Sequence, residues 1–225
     1  MKLWWLSLCY QARLTFGWYH VVAPVGLAVA LVLGQAGQAG LSPRQVVRWV
    51  EILVPVAGIF LAAPIIMRDR DLAVAELQAA KPRGLMRQFV WRYALIIMYT
   101  TLTSVLLAFA AGAETRDPRF LAVLLASVVP SLLFFSLLAA VASMGAGGVA
   151  SGAAVAVVLW GALTAASLVS RPTGPMAWVA PFPLLLGLQT GQFTVNRCLY
   201  IAAWAVMSFF CHRLLRFRAV LPPRE

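Results

Sequence analysis

The chain has 225 residues, of which 62% are hydrophobic and only 11% are charged, and its mean hydropathy is +0.87. In soluble globular domains roughly a quarter of the residues are charged. This composition therefore excludes a compact soluble domain and predicts an integral membrane protein. The net charge of +11 does not indicate a nucleic-acid partner, because membrane proteins keep basic residues at their cytoplasmic edge.

Residues 1–19 mix aromatic and basic side chains with a short apolar run. This mixture is typical of a helix that lies in the membrane interface. Gln11 and Arg13 interrupt the apolar run and no small-residue cleavage site follows, so a cleaved signal peptide is not expected.

Apolar, almost charge-free intervals predict an all-α fold with six membrane-spanning helices in one domain covering residues 1–225. The predicted spans are 20–41, 49–67, 93–113, 120–142, 149–170 and 197–213. The stretch SMGAGG at 143–148 predicts the turn between the fourth and fifth spans. Arg197 and Arg213 flank the short last span, and their side chains are expected to snorkel to the interface.

The segment 172–196 precedes the last span and contains four prolines among mainly apolar residues. The prolines argue against a continuous helix, and the apolar content argues against a free loop. Non-helical backbone at membrane depth is tolerated only where protein covers it. We therefore predict a re-entrant helical segment on the outer side.

The distribution of Lys and Arg predicts the orientation. When both termini are placed inside, twelve of the eighteen basic residues lie on the cytoplasmic side. The chain is thus expected to be a multi-pass protein of a plasma membrane, with both termini, including the tail 214–225, in the cytoplasm.

The cytoplasmic loop 68–84 joins the second and third predicted spans and concentrates charge. Asp69 and Asp71 lie where a short helix would begin and Lys81 where it would end, which suits the helix dipole. A solvated connector would also be basic on this side of the membrane, but a plain connector needs far fewer residues. A whole helix with charges of both signs favours docking on a partner at the cytoplasmic face.

This layout resembles the membrane subunit of ABC transporters of the type-2 exporter architecture. In that family the corresponding loop carries a Glu, then a Leu, then a Pro ahead of the third span, and Glu76, Leu77 and Pro82 stand in those places here. The Gly-Thr that usually precedes the Glu is replaced by Val74 and Ala75. Haem-exporter permeases of cytochrome c maturation share this size and layout and form a close alternative.

The resemblance implies a non-catalytic permease subunit in a bacterial inner membrane, dimeric with a second copy or a sister chain and surrounded by lipid. Two copies of an ATPase subunit would bind ATP and Mg, and this chain would hold no cofactor or metal. The loop 68–84 would be the coupling helix. Its expected ATPase-contacting residues are Asp69, Asp71, Glu76, Leu77, Lys81 and Arg83. The sequence has no G-x-x-x-x-G-K-[ST], so nucleotide would have to bind another chain.

Glu51 is the only acidic residue inside an apolar run. Two interpretations are open: pairing with Arg48, one turn away near the outer end of the second span, or a role in gating or substrate binding. The third span contains a hydroxyl cluster with two similar interpretations, a translocation path or bonds to carbonyls of its own helix. Its members are Thr100, Thr101, Thr103 and Ser104.

The sequence gives less support to two other classes of function. An intramembrane enzyme would need a catalytic motif, but H-E-x-x-H is absent and Ser151 does not lie in a Gly-x-Ser-Gly setting. The three cysteines and two histidines show no metal-ligand spacing. A secondary carrier or channel would be expected to show a midplane acid and an internal repeat, and the sequence indicates neither.

Overall fold

The computed structural model describes residues 26, 43–65, 84–110, 118–169, 178–181 and 190–218. Within these ranges the chain is helical and contains no strand. The five helices are α1 (Pro43–Ala62), α2 (Gly84–Ala110), α3 (Pro118–Ala146), α4 (Val149–Val169) and α5 (Thr190–Arg218). Helices α2 to α5 are long and apolar enough to cross a membrane, whereas the apolar part of α1 is shorter. The predicted fold class, an all-α membrane protein, is confirmed over these ranges.

Several predictions concern residues outside the described ranges. The interfacial helix 1–19, the first span 20–41 apart from the helical Gly26, and the charged loop up to Arg83 lie there. Most of the proline-rich segment and the end of the tail lie there too. Six spans therefore stay a prediction.

Helix α3 is the centre of the bundle. It packs against all four other described helices, most extensively against α1, α4 and α5. Half of its apolar 18-residue stretch is buried, compared with 17% of the corresponding stretches of α4 and α5. The outer faces of α4 and α5 are rich in exposed Val, Leu, Ile and Phe side chains, and so much apolar surface is stable only against lipid or another protein.

A tight turn joins α3 to α4. Gly147 has a φ of 73°, a left-handed conformation that glycine adopts without a Cβ clash and that commonly ends helices. The turn lies at 147–148, whereas the first four residues of the predicted turn 143–148 still belong to α3. In the first turn of α4, a Cβ on Gly152 would overlap the backbone nitrogen of Ser143. The two helices meet backbone to backbone at this point, as small residues allow in membranes.

The described helices differ in their limits from the predicted spans. Helix α1 runs from Pro43 to Ala62 rather than over 49–67, with Pro in the first turn, where its missing N–H costs nothing. Helix α2 begins at Gly84 rather than residue 93, and α5 begins at Thr190 rather than residue 197. The last residues of the predicted segment 172–196 are thus helical.

The early starts of α2 and α5 have one physical cause. The predicted limits were set at charged residues, but Arg92 is 1% exposed and Arg197 is 5% exposed. Both guanidinium groups donate to protein acceptors, so neither needs to reach the membrane surface. The expectation that Arg197 snorkels to the interface is therefore wrong.

Arg92 of α2 holds the residues that follow α1. Its Nη1 donates to the carbonyl oxygen of Ile65 at 3.0 Å, just after α1 ends, where free carbonyls attract basic side chains. Ile65 also belongs to a buried cluster with Phe89 and Tyr93 of α2. The chain therefore leaves α1 and enters α2 within one packed region.

Replacing Arg92 by Met is expected to lower the free energy of unfolding by about 2 kcal/mol, because a buried charged hydrogen bond is lost and the Ile65 carbonyl loses its donor. Arg87 is the matched control, since it lies on the same helix but is exposed, and Arg87→Met should change stability by less than about 0.5 kcal/mol. Thermal unfolding of both variants in the same detergent measures the difference. Equal shifts would contradict the proposed anchoring.

Candidate functional site

Glu51 lies inside the helix bundle. It is 1% exposed and stands about 12 Å along α1 from the first residue of that helix, at 1.5 Å per residue. Its Oε1 accepts a short hydrogen bond from the Ser127 hydroxyl on α3. The side chain of Arg48 lies outside the described part of the chain, so pairing with Arg48 stays a prediction. The carboxylate is in the protein interior rather than at an outer surface.

Arg197 brings an opposite charge to the same region. Nη1 of the guanidinium donates to the Ser131 hydroxyl on α3 at 3.0 Å, one helical turn from the serine that bonds Glu51. The guanidinium also stands over the rings of Phe193 and Tyr200, 5.7 and 5.6 Å from their centroids, which stabilises a cation. We call Glu51 and Arg197 the buried charge pair.

Two serines of α3 support the charge pair. Ser127 and Ser131 are one helical turn apart and therefore share a face of α3. Ser127 donates to Glu51 of α1, and Ser131 accepts from Arg197 of α5. Helix α3 thus gives each charge a hydroxyl partner of its own.

Residues 178–181 form a short stretch against α5 that begins as a 3-10 turn at 178–179 and belongs to none of the α-helices; we call it the strap. All four strap carbonyls accept hydrogen bonds from α5 side chains. The first and third accept from Nδ2 of Asn196 at 2.8 and 3.0 Å, and the second from the Tyr200 hydroxyl at 2.9 Å. The fourth accepts from Arg197 Nη2 at 3.1 Å. These bonds satisfy the carbonyls of a backbone stretch that lies outside the α-helices and beside a membrane-length helix.

Within the described ranges, the helix bundle encloses one acid, Glu51, and the base Arg197 bonded to the same face of α3, and α5 holds the strap through hydrogen bonds. The chain matches no protein-family model, no curated protein and no solved structure. Function is therefore inferred from the chemistry of the chain itself. Charged side chains inside a membrane bundle are costly and commonly mark functional sites, so the charge pair is the candidate site.

The hydroxyl cluster of α2 bonds mainly to its own helix. Thr100, Thr103 and Ser104 each donate to the carbonyl four residues earlier, at 2.7, 2.8 and 2.6 Å. Thr101 Oγ1 is buried and has no hydrogen-bond partner within the described residues. The bonds to helix carbonyls follow the second interpretation of this cluster, and a role in a translocation path stays a prediction.

The remaining candidate residues do not join this site. The expected ATPase-contacting residues, Asp69 to Arg83, lie outside the described ranges. Among the residues described, no three His, Cys, Asp or Glu side chains are grouped as a metal site. Cys198 is exposed and Cys211 is buried, and both are free thiols.

Sequence reasoning found Glu51 but missed its surroundings. Ser127 and Ser131 look like ordinary helix-compatible serines, and Asn196 and Arg197 look like the polar edge of a span. One signal was available: Glu51 and Arg197 are opposite charges, each next to a long apolar run. Such a complementary pair is a reason to test for contact between distant helices.

Proposed function

We propose that this chain is the permease subunit of an ATP-binding-cassette exporter, which moves a substrate out across a bacterial inner membrane using ATP hydrolysed by a separate subunit. The observation that supports the proposal is a contact between residues on either side of the charged loop. Arg92 of α2 donates to the carbonyl of Ile65, and Ile65 packs in one cluster with Phe89 and Tyr93 of α2. A partner that pushed on the loop would therefore act on α1 and α2 together.

Helix α1 connects the loop to the candidate site. Glu51 lies about 17 Å before the last residue of α1, at 1.5 Å per residue. Arg197 stands on a different helix, α5. A displacement of α1 by a cytoplasmic partner would change the separation of the buried charge pair. This route gives a physical basis for coupling between a cytoplasmic ATPase and the membrane domain.

The proposed assembly has two ATPase subunits and two permease chains, identical or sister. The contact to the ATPase would be made by Asp69, Asp71, Glu76, Leu77, Lys81 and Arg83, with Glu76 meeting a basic or hydroxyl group. ATP and Mg would be bound by the ATPase. The low charge content of the described helices favours an apolar or amphipathic cargo.

Native mass spectrometry of the tagged chain, gently extracted from its own cells, tests the assembly. The expected complex contains two permease chains and two copies of a soluble nucleotide-binding subunit. Recovery of the chain without any ATPase, even after crosslinking, would refute the proposal.

Replacing Glu76 by Ala is expected to weaken ATPase binding roughly 10- to 100-fold, because one charge-assisted hydrogen bond is lost. ATP-driven transport in proteoliposomes should fall correspondingly at limiting ATPase. Gln78→Ala is the matched control, a polar loop residue outside the expected contact set, and it should bind and transport normally. Wild-type transport by Glu76→Ala would remove Glu76 from the contact.

A secondary carrier is the second candidate, and one observation favours it. Ion-coupled carriers use acidic side chains inside the bundle, and Glu51 is buried there. The two candidates differ in their energy source. Transport in vesicles that stops when ATP is removed and continues when ion gradients are collapsed identifies the exporter; the opposite pattern identifies the carrier.

A further inference from the structure

We propose that this chain binds a soft monovalent cation, Cu(I), at the end of the bundle where α1 ends and α2 begins. The ligands are four sulfur-bearing side chains, which we call the sulfur cluster: Met86, Met144, Met207 and Cys211. This site lies outside the proposed transport function and does not depend on it. It also departs from the expectation, implied by the family resemblance, that this chain holds no metal.

The sulfur cluster draws on three helices. Met144 of α3 and Cys211 of α5 are each 1% exposed and belong to one buried cluster. Met86 of α2 and Met207 of α5 are partly buried and pack against that same cluster. Within the described ranges, three of the four methionines therefore share one packed region with a buried cysteine, whereas the fourth, Met98, is 62% exposed.

Two contacts fix how α3 and α5 lie against each other. Arg197 donates to Ser131, a pair that is 66 residues apart, and the ring of Tyr200 lies against that of Phe135, a pair that is 65 residues apart. The nearly constant offset shows that the two helices run side by side in the same direction. Each residue of α5 is therefore level with the α3 residue about 66 positions earlier.

This register brings the buried thioether and the thiol together. Cys211 comes 67 residues after Met144, so the two side chains are at one level of the bundle. Met207 precedes Cys211 by one helical turn and shares its face of α5. Both α5 residues belong to or pack against the cluster that contains Met144.

Helix α2 brings the third thioether to the same level. The Tyr93 hydroxyl shares a hydrogen bond with Ser136 of α3, and Ile97, one turn later, packs against a cluster of earlier α3 residues. The two helices are thus antiparallel. Met86 lies seven residues before Tyr93, and the residue seven positions after Ser136 is the neighbour of Met144. Seven residues are about two turns, so Met86 also shares a face of α2 with Tyr93.

The chemistry of sulfur selects the metal. Thioether and thiolate ligands favour Cu(I), whereas oxygen ligands favour hard cations, and zinc sites use thiolate, imidazole or carboxylate rather than thioether. Cys211 is a free thiol. On binding, this thiol releases its proton to the medium, and the thiolate balances the charge of the cation. Copper remains Cu(I), so no electron is transferred. A neutral complex suits the apolar surroundings, which include Phe89 and Leu215.

The test uses the full chain, purified without oxygen, with Cys9→Ser and Cys198→Ser so that Cys211 is its one thiol. Cu(I) is titrated in competition with a chromogenic Cu(I) chelator. The parent should bind one equivalent and show a thiolate-to-copper charge-transfer absorption. Cys211→Ser should abolish this absorption and lower the affinity at least about tenfold, a loss typical even of residues that only support a metal ligand.

Two leucine variants separate metal binding from packing, because Leu and Met have similar volumes. Met144→Leu and Met207→Leu should each weaken Cu(I) binding about tenfold or more, with little change in the melting temperature of the metal-free protein. Met98→Leu is the matched control, because this methionine is exposed on α2, and it should bind like the parent. If Cys211→Ser does not fold, the leucine variants still decide.

Absence of Cu(I) binding by the parent, or parent-like affinity in Cys211→Ser or in both leucine variants, would overturn the site. Equal weakening in Met98→Leu would overturn it too, because the loss would then not depend on the buried sulfurs. Zn²⁺ in excess should leave Cu(I) bound, since two or three of the ligands are thioethers. Displacement of Cu(I) by Zn²⁺ would overturn the assignment to a soft monovalent cation.

Discussion

Replacing Arg197 by Met is expected to lower the free energy of unfolding by about 3–5 kcal/mol, because two hydrogen bonds from a buried guanidinium are lost, each worth about 1.5–3 kcal/mol. The acceptors that lose their donor are the Ser131 hydroxyl and the Pro181 carbonyl. Met keeps most of the side-chain volume, so a cavity contributes little. Denaturant or thermal unfolding in a fixed detergent measures the loss.

The same measurement on two further variants isolates the charge. Arg213→Met, which alters an exposed arginine of α5, should shift stability by less than about 0.5 kcal/mol. The double variant Glu51→Gln, Arg197→Met should lose less stability than the sum of the two single variants, because the interaction between the two charges is then removed only once. If the double variant is as unstable as the sum of the two single variants, the two charges do not interact.

Replacing Gly152 by Ala is expected to lower the free energy of unfolding by about 1–3 kcal/mol or more, because the added methyl group has no room. The new Cβ would overlap the nitrogen, Cα and hydroxyl of Ser143. Backbone atoms of a neighbouring helix cannot rotate away, so α4 must move off α3. That movement uncovers Ala153 and Ala156, which are buried in the core shared by α1, α3, α4 and α5.

Gly161→Ala is the matched control for this prediction. It lies on the same helix with nothing within 4 Å of the new Cβ, and Ala is a better helix former than Gly by roughly 0.5–1 kcal/mol. In the same unfolding assay, Gly152→Ala should therefore lower the free energy of unfolding and Gly161→Ala should raise it. A stabilising Gly152→Ala would show that α3 and α4 do not pack this closely.

The positions of Arg92 and Arg197 show where sequence reasoning reached its limit. Both were used as markers of span ends, because an unpaired guanidinium is costly in lipid. An arginine marks the end of a span only when the protein offers its guanidinium group no hydrogen-bond acceptor. Arg92 reaches the Ile65 carbonyl, and Arg197 reaches Ser131 and the strap, so the helices continue through both residues.

Glu51 shows a similar limit on the functional side. Its isolation among apolar residues made it a candidate, and that inference needed only the sequence. Its partners lie far along the chain: Ser127 is 76 residues away, and the bond from Arg197 to Ser131 joins residues 66 apart. Only the rotation and depth of α1, α3 and α5 bring these groups together.

Composition and local pattern alone determined that the described part of this protein consists of apolar helices of membrane length, that a Gly-rich turn separates α3 from α4, and that Glu51 is unusual. These are local properties, set by apolar content over a helix length and by the backbone freedom of Gly147. Tertiary structure alone decided which charges are buried, where α2 and α5 begin, and which carbonyls hold the strap. The physical reason is that a charge is tolerated in the interior only where another part of the chain supplies its partners, and those partners are fixed by helix packing rather than by neighbours in sequence.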